Sequence, residues 1–191
     1  VDPVVLAASI ITRLQGIVAR EIAPSQFGVV TVGSVQAGTK SNIIADRATL
    51  LVNVRAYDMA VRDVLIAAIE RIVRGECATS GSPQEPTFEY YDQYPLTSNH
   101  AAPTEIVTEA FRSHFGLERV HPMAQIPASE DFSRIPDAFG IPYTYWGLGG
   151  FTPGMTVVAN HHPGFAPAIQ PTLRTGTEAA VVAALAYLGK E

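Results

Sequence analysis

The sequence predicts an α+β chain in two parts, residues 1–95 and 96–191, and three observations lead there. Over the first part, apolar residues recur at helical and strand spacings in the order helix, strand, strand, helix, strand. Around residues 94–99 this pattern restarts. Beyond it, helical stretches alternate with short buried-strand patterns, as in an α/β layer.

Asp2 and Pro3 read as an N-cap and first helical residue. Leu6, Ile10, Leu14 and Ile17 then predict a helix to about Ile22. Val4, Ile11 and Val18 widen its apolar character beyond one stripe, so a second covering surface is expected. Pro24 closes the helix. Residues 28–35 alternate as a strand with Val30 and Val32 on one face, and residues 36–46 form a polar loop containing Gly38 and Asn42. The next strand, residues 48–57, places Leu50, Val52, Val54 and Ala56 on one face and Asn53 and Arg55 on the other. Asp58 caps a second helix with the stripe Val61, Leu65, Ala68 and Ile72, ended by Gly81 and Pro83. Phe88 and Tyr90, alternating with Thr87, Glu89 and Tyr91, read as a short strand. A ferredoxin-like half runs strand-helix-strand-strand-helix-strand. One further strand would precede Val1, so this half is expected to lack its first strand.

In the second part, residues 103–115 read as a helix stopped by Gly116, and residues 120–123 and 143–148 as strands. Ser129 is expected to cap a short helix beginning Glu130-Asp131-Phe132. Thr175 and Glu178 read as a capping box for a last helix carrying Val181, Leu185 and Leu188.

A formal charge of -5, with 13 Lys plus Arg and no basic run, argues against nucleic acid as a partner. Charged residues make up 16% of the chain, against about 25% in a typical domain, so part of the surface is expected to be covered. The single cysteine, Cys77, forms no internal disulfide, and a reduced, cytoplasmic location is expected. No apolar run is read as long enough to span a bilayer, so no membrane partner is expected. The start is not a signal peptide. Because residue 1 is Val rather than Met, the chain is expected to be a truncated, processed or excised piece.

A divalent metal site needs three or more converging deprotonated donors. Of the histidines, His100, His114 and His121 lie in or beside ordinary elements without paired spacing, and read as exposed or core-satisfied. His161 and His162 lie in a loop between glycine- and proline-rich stretches. Adjacent residues of an extended segment point to opposite sides, so at most one of them faces a given site. Glu130 and Asp131 sit where a helix dipole favours negative charge, which leaves a cap and a functional pair both open. No Gly-x-Ser-x-Gly elbow, Gly-x-Gly-x-x-Gly or P-loop is present. Cys77 reads as a buried side chain.

Several segments together resemble one family. Asp2-Pro3-Val4-Val5, Val30-Thr31-Val32-Gly33 and the stretch from Ala37-Gly38-Thr39 through Asn42 to Asp46, continuing to Asn53-Val54-Arg55, are similar to the lid domain of bacterial metal-dependent amidohydrolases. These are enzymes of the aminoacylase, carboxypeptidase G and hippurate hydrolase type. Ala128-Ser129-Glu130-Asp131-Phe132 and His161-His162-Pro163-Gly164-Phe165, ahead of Gly176-Thr177-Glu178-Ala179, resemble the C-terminal α/β part of their zinc-peptidase-like catalytic domain.

The resemblance implies a site with two divalent metal ions, zinc or else manganese or cobalt, which activates water against the amide bond of N-acyl amino acids or small peptides. It implies His161 as a metal ligand, Asn42 and Arg55 as substrate-binding residues, and Glu130 and Asp131 as pocket residues. It also implies a homodimer through the lid, with the lid residues of some members reaching the partner's substrate. Arg suits such a task because its planar fork clamps carboxylates.

The chain departs from the pattern at His162, where a small polar residue is usual, at Ala45, where proline is common, and in a short link from Gly150 to Asn160. Most of the metal donors, the general base and the first lid strand would lie upstream of Val1. This piece alone is therefore expected to be inactive and to hold no metal. The alternative reading is a non-catalytic ferredoxin-like dimerisation or small-ligand-binding module.

Overall fold

The computed structural model describes residues 1–189, leaving the last two residues of the second expected part outside the description. The chain divides into two compact units, Val1–Leu96 with Gln125–Ser129, and Thr97–Ala124 with the residues from Glu130 on.

Unit one starts with α1 (Pro3–Leu14), where Asp2 Oδ1 accepts the Val4 N–H at 2.9 Å and Pro3 occupies the first turn, needing no donor there. The helix does not run unbroken to Ile22. It yields at Gln15 and resumes as α2 (Gly16–Arg20), at the glycine, the weakest helix former after proline. Ala7, Ile10, Leu14 and Ile17 turn inward. Opposite them, α3 (Met59–Thr79) buries Val61, Leu65, Ala68 and Ile72, the expected stripe, together with Cys77. Asp58 caps α3 by accepting the Ala60 and Val61 N–H groups at 2.6 and 3.3 Å.

Strands β1 (Gly28–Ala37) and β2 (Ala48–Ala56) pair antiparallel and lay Val30, Val32, Leu50 and Val54 against this helical core. The ladder pairs Val32 with Val52 and Ser34 with Leu51, so Gly33 is an extra, unpaired residue, a β-bulge. Beyond it, Val35 and Ala37 stand opposite Leu50 and Ala48. That change of parity is why simple alternation ends the strand two residues early.

Two expectations for this unit are corrected. By length and composition alone the window Pro3–Arg20 is apolar enough to cross a membrane; Ile10, Leu14 and Ile17 within it are core residues of unit one. Residues 87–91 are not a strand, because the only ladder among the described residues is β1 with β2. Side chains fasten that segment to α3 instead. The Tyr90 hydroxyl donates to Glu70, and the Arg74 guanidinium lies 4.8 Å from the Phe88 ring centre.

In unit two, α4 (Ala101–Phe115) packs on the last helix through Val107, Phe111, Ala179 and Ala183, and stops at Gly116 with φ +92°. A short helix, α5 (Arg134–Phe139), precedes the last, α6 (Ile169–Leu188). The expected capping box is absent. α6 begins earlier, broken at Gln170, so Thr175 lies inside it and Glu178 accepts the Arg174 Nε–H at 2.8 Å. Residues 120–123 and 143–148 are not strands, since no ladder partner lies beside them among the described residues. The 143–145 stretch takes its bonds from the residues ahead of α4. His100 N–H donates to the Tyr143 carbonyl at 2.9 Å, and Tyr143 N–H donates to His100 Nδ1 at 3.2 Å.

Candidate functional site

In unit one the polar loop expected between the strands is the tip of the hairpin, entered through Gly38 at φ +69°, and it exposes Asn42 beside Ile43 and Ile44. Arg55 lies near the other end of β2, paired with Val29 and seven residues from Ala48. Roughly 23 Å of strand therefore separates the base of the tip loop from Arg55. One copy of the hairpin does not bring Asn42 and Arg55 together. The Arg55 side chain is also engaged, with Nε donating to Asn53 Oδ1 at 2.9 Å and Nη1 donating to the Pro127 carbonyl.

In unit two, Ser129 does not cap a helix at Glu130. α5 starts four residues later, with Pro136 in its first turn, where a missing N–H is tolerated; a helix begun at Glu130 would carry that proline in its interior. Glu130 itself takes the acceptor role. Its Oε1 accepts the N–H groups of Asp131 and Phe132 at 2.9 and 3.2 Å, and its Oε2 accepts the Tyr145 hydroxyl at 3.0 Å. The Tyr145 phenol, followed by those two amides, holds the Glu130 carboxyl below the usual carboxylate range, and Glu130 in turn raises the phenol. Asp131 is exposed beside it.

The sequence reading passed over Asn99, which fixes this pair. Asn99 Nδ2 donates to the Tyr145 carbonyl and Oδ1 accepts its N–H, both at 2.7 Å, imitating one rung of a ladder. Phe132 packs against Tyr143 and Tyr145 with ring centres 5.6 and 5.0 Å away. A polar residue just ahead of α4 was the available signal. Nothing in its spacing pointed to a partner 46 residues away.

The histidine loop is closed at its base by Ala168 N–H donating to the Gly150 carbonyl at 2.8 Å, with Phe151 and Phe165 edge to face inside it. His162 belongs to the loop's own scaffold, since its Nδ1 accepts the Gly164 N–H at 2.9 Å. His161 sits at the left-handed φ of +66° with an exposed ring, and no hydrogen bond engages that ring among the described residues. The two neighbours thus differ in what their rings can do: one nitrogen of His162 is spent, and both of His161 are open. A metal is a harder fit. Among the described residues no three His, Cys, Asp or Glu side chains cluster closely enough to hold one, so these residues by themselves do not build a dinuclear centre.

Residues 1–80 match the M20 family's peptidase dimerisation domain. The chain is 32% identical over 164 residues to the putative amidohydrolase YhaA of Bacillus subtilis, covering 86% of this chain and 41% of that protein. It is 30% identical over 165 residues to the N-acetylcysteine deacetylase of the same organism, with the same two coverages. The crystal structure of Bacillus subtilis YxeP, described as a dinuclear metal binding peptidase of the M20 family, superimposes with a TM-score of 0.74 at 25% identity, over 100% of this chain and 47% of that one. The chain thus spans somewhat under half the length of these relatives. Its first 80 residues match the M20 family's dimerisation domain, and most of its length is similar to an amidohydrolase, a deacetylase and an M20 peptidase.

Proposed function

We propose that this chain is the lid and part of the pocket wall of a metal-dependent hydrolase that cleaves the amide bond of N-acyl amino acids or small peptides. The observation that carries the proposal is likeness over 86% of the chain to an amidohydrolase and to an N-acetylcysteine deacetylase. His161 is the proposed metal donor, and its unengaged exposed ring supports that role. Asn42, Arg55, Glu130 and Asp131 are the proposed substrate-side residues. The ion, zinc or else manganese or cobalt, would supply Lewis-acid activation of water. The donors for it that this chain lacks would come from elsewhere in the functional protein. A homodimer through the lid is part of the proposal. The exposed Val4, Val5 and Val18 on α1 and α2 and the open hairpin edges are its support.

The 191-residue chain, incubated with zinc, cobalt or manganese and N-acetyl amino acids, is expected to release no amino acid above the metal blank. Robust release would show that these residues complete a site by themselves. Expressed from its natural gene with any in-frame sequence ahead of Val1, the protein is expected to hydrolyse these amides and to lose that activity, and one metal equivalent, in His161→Ala. A natural protein inactive on the whole amide panel would favour the non-catalytic module.

A further inference from the structure

Segment Gln125–Ser129 leaves its sequence neighbours and belongs to unit one, and side chains of β2 and its extension hold it there. Arg55 donates through Nη1 to the Pro127 carbonyl, and the Tyr57 hydroxyl donates to the Gln125 carbonyl at 3.1 Å. The two donors are two residues apart on one face of an extended chain, and so are the two acceptors. The pairing runs 55 to 127 and 57 to 125, the order of antiparallel neighbours. Side chains here replace the backbone donors of a ladder. Pro127 has no N–H to offer a ladder and biases Ile126 toward extended backbone, which suits a segment gripped only by its carbonyls.

Both donors are braced. Asn53 Oδ1 accepts the Arg55 Nε–H at 2.9 Å, which aligns the guanidinium, and Phe27 stacks on the Tyr57 ring at 4.1 Å between centres and 16° between planes. We infer that Arg55 and Tyr57 form a two-point clasp that fastens the Gln125–Ser129 strap to the end of β2, making Arg55 a positioning residue for the peptide that leads into Glu130-Asp131. The clasp stands on this geometry alone; only its consequence for a substrate pocket rests on the proposed hydrolase reading.

Backbone 15N relaxation of the 191-residue chain tests it without any activity measurement. The amides of residues 125, 126, 128 and 129 are expected to show order parameters near the rigid value of about 0.85, falling below about 0.6 in the Arg55→Ala/Tyr57→Phe double variant. Amides of α3 should stay unchanged. Tyr57→Phe alone keeps the ring stack and removes one grip, so it is expected to loosen residues 125 and 126 more than 129 while leaving the fold intact. Arg55→Lys, which retains a donor, is expected to restore much of the order lost in Arg55→Ala. Strap order parameters at wild-type values in the double variant would overturn the clasp and leave the hydrolase proposal standing. A strap that stays rigid in Arg55→Ala would likewise overturn the Arg55 half of the clasp, and would leave Arg55 to its proposed substrate role alone.

Discussion

The two units are held together by different means. In unit one the side chains with essentially no exposure are Leu14, Ile17 and Leu65, all on helices facing one core. In unit two the fully buried side chain is Ser133, whose hydroxyl has no partner among the described residues. Large apolar side chains such as Leu117, Ile135, Phe139, Val157, Leu173 and Leu188 face outward there. Unit one closes its own core. Unit two closes a smaller core of Val107, Phe111, Ala179 and Ala183 and adds polar side chains gripping backbone, Asn99 on Tyr145 and Glu130 on Asp131 and Phe132, while leaving those large apolar side chains exposed. Each unit nevertheless repeats one device, a tyrosine hydroxyl donating to a glutamate: Tyr90 to Glu70 in the first, Tyr145 to Glu130 in the second.

If unit one depends on burial, removing buried methyl groups should produce the largest effect. Leu65→Ala, at a side chain 0% exposed, is expected to lower the stability of unit one by about 2–5 kcal/mol in chemical denaturation. Asp58→Ala removes the acceptor of two orphan N–H groups at the start of α3 and should cost about 1 kcal/mol in the same measurement.

The paired glutamates sharpen the comparison through pH. Both folded carboxyl pKa values lie below the unfolded value, Glu70 through Tyr90 and then Arg74, and Glu130 through Tyr145 and then the two amides. Their contribution is therefore present above the unfolded carboxyl pKa of about 4.3 and is lost as pH falls through the folded values. Thermal melts from pH 6 to pH 3 are expected to fall less steeply in Tyr90→Phe and in Tyr145→Phe than in the parent, each in its own unit. An unchanged acid slope in both variants would remove the pairs from the account. The smallest effect is expected at Leu185, which is 58% exposed on α6: Leu185→Ser should change stability by no more than about 0.5 kcal/mol. A larger loss would show that this face is covered in solution.

What the residues revealed in advance follows the same division. The stripes of α1 and α3 and the inward positions of β2 were legible because burial on one face imprints a period on the sequence. The strands expected at 87–91 and 143–148 carried a suitable local pattern, but a strand exists only beside another, and pairing is not written in local alternation. Their segments are fastened by Glu70 and by Asn99 instead. The short helix was misplaced because acidic residues after Ser129 outweighed Pro136, the residue that limits where it begins. At the candidate site, the pairing of His161 with His162 was legible as a choice of one. Only the Gly164 amide, two residues on, shows which ring is already taken. The occupied state of Arg55 could not be foreseen, since Pro127 lies 72 residues away and contributes a carbonyl, a group every residue has.

The bulge at Gly33 acts at a distance from itself. An extra residue on one side of a two-stranded ribbon bends the bulged strand and increases its local right-handed twist. Everything outboard of that point, including the tip that carries Asn42, Ile43 and Ile44, is swung as a short lever whose pivot is a single glycine. Deleting Gly33 would leave every remaining rung matched to its present opposite number. The ribbon would straighten, and the tip would be aimed elsewhere without any change in its own sequence.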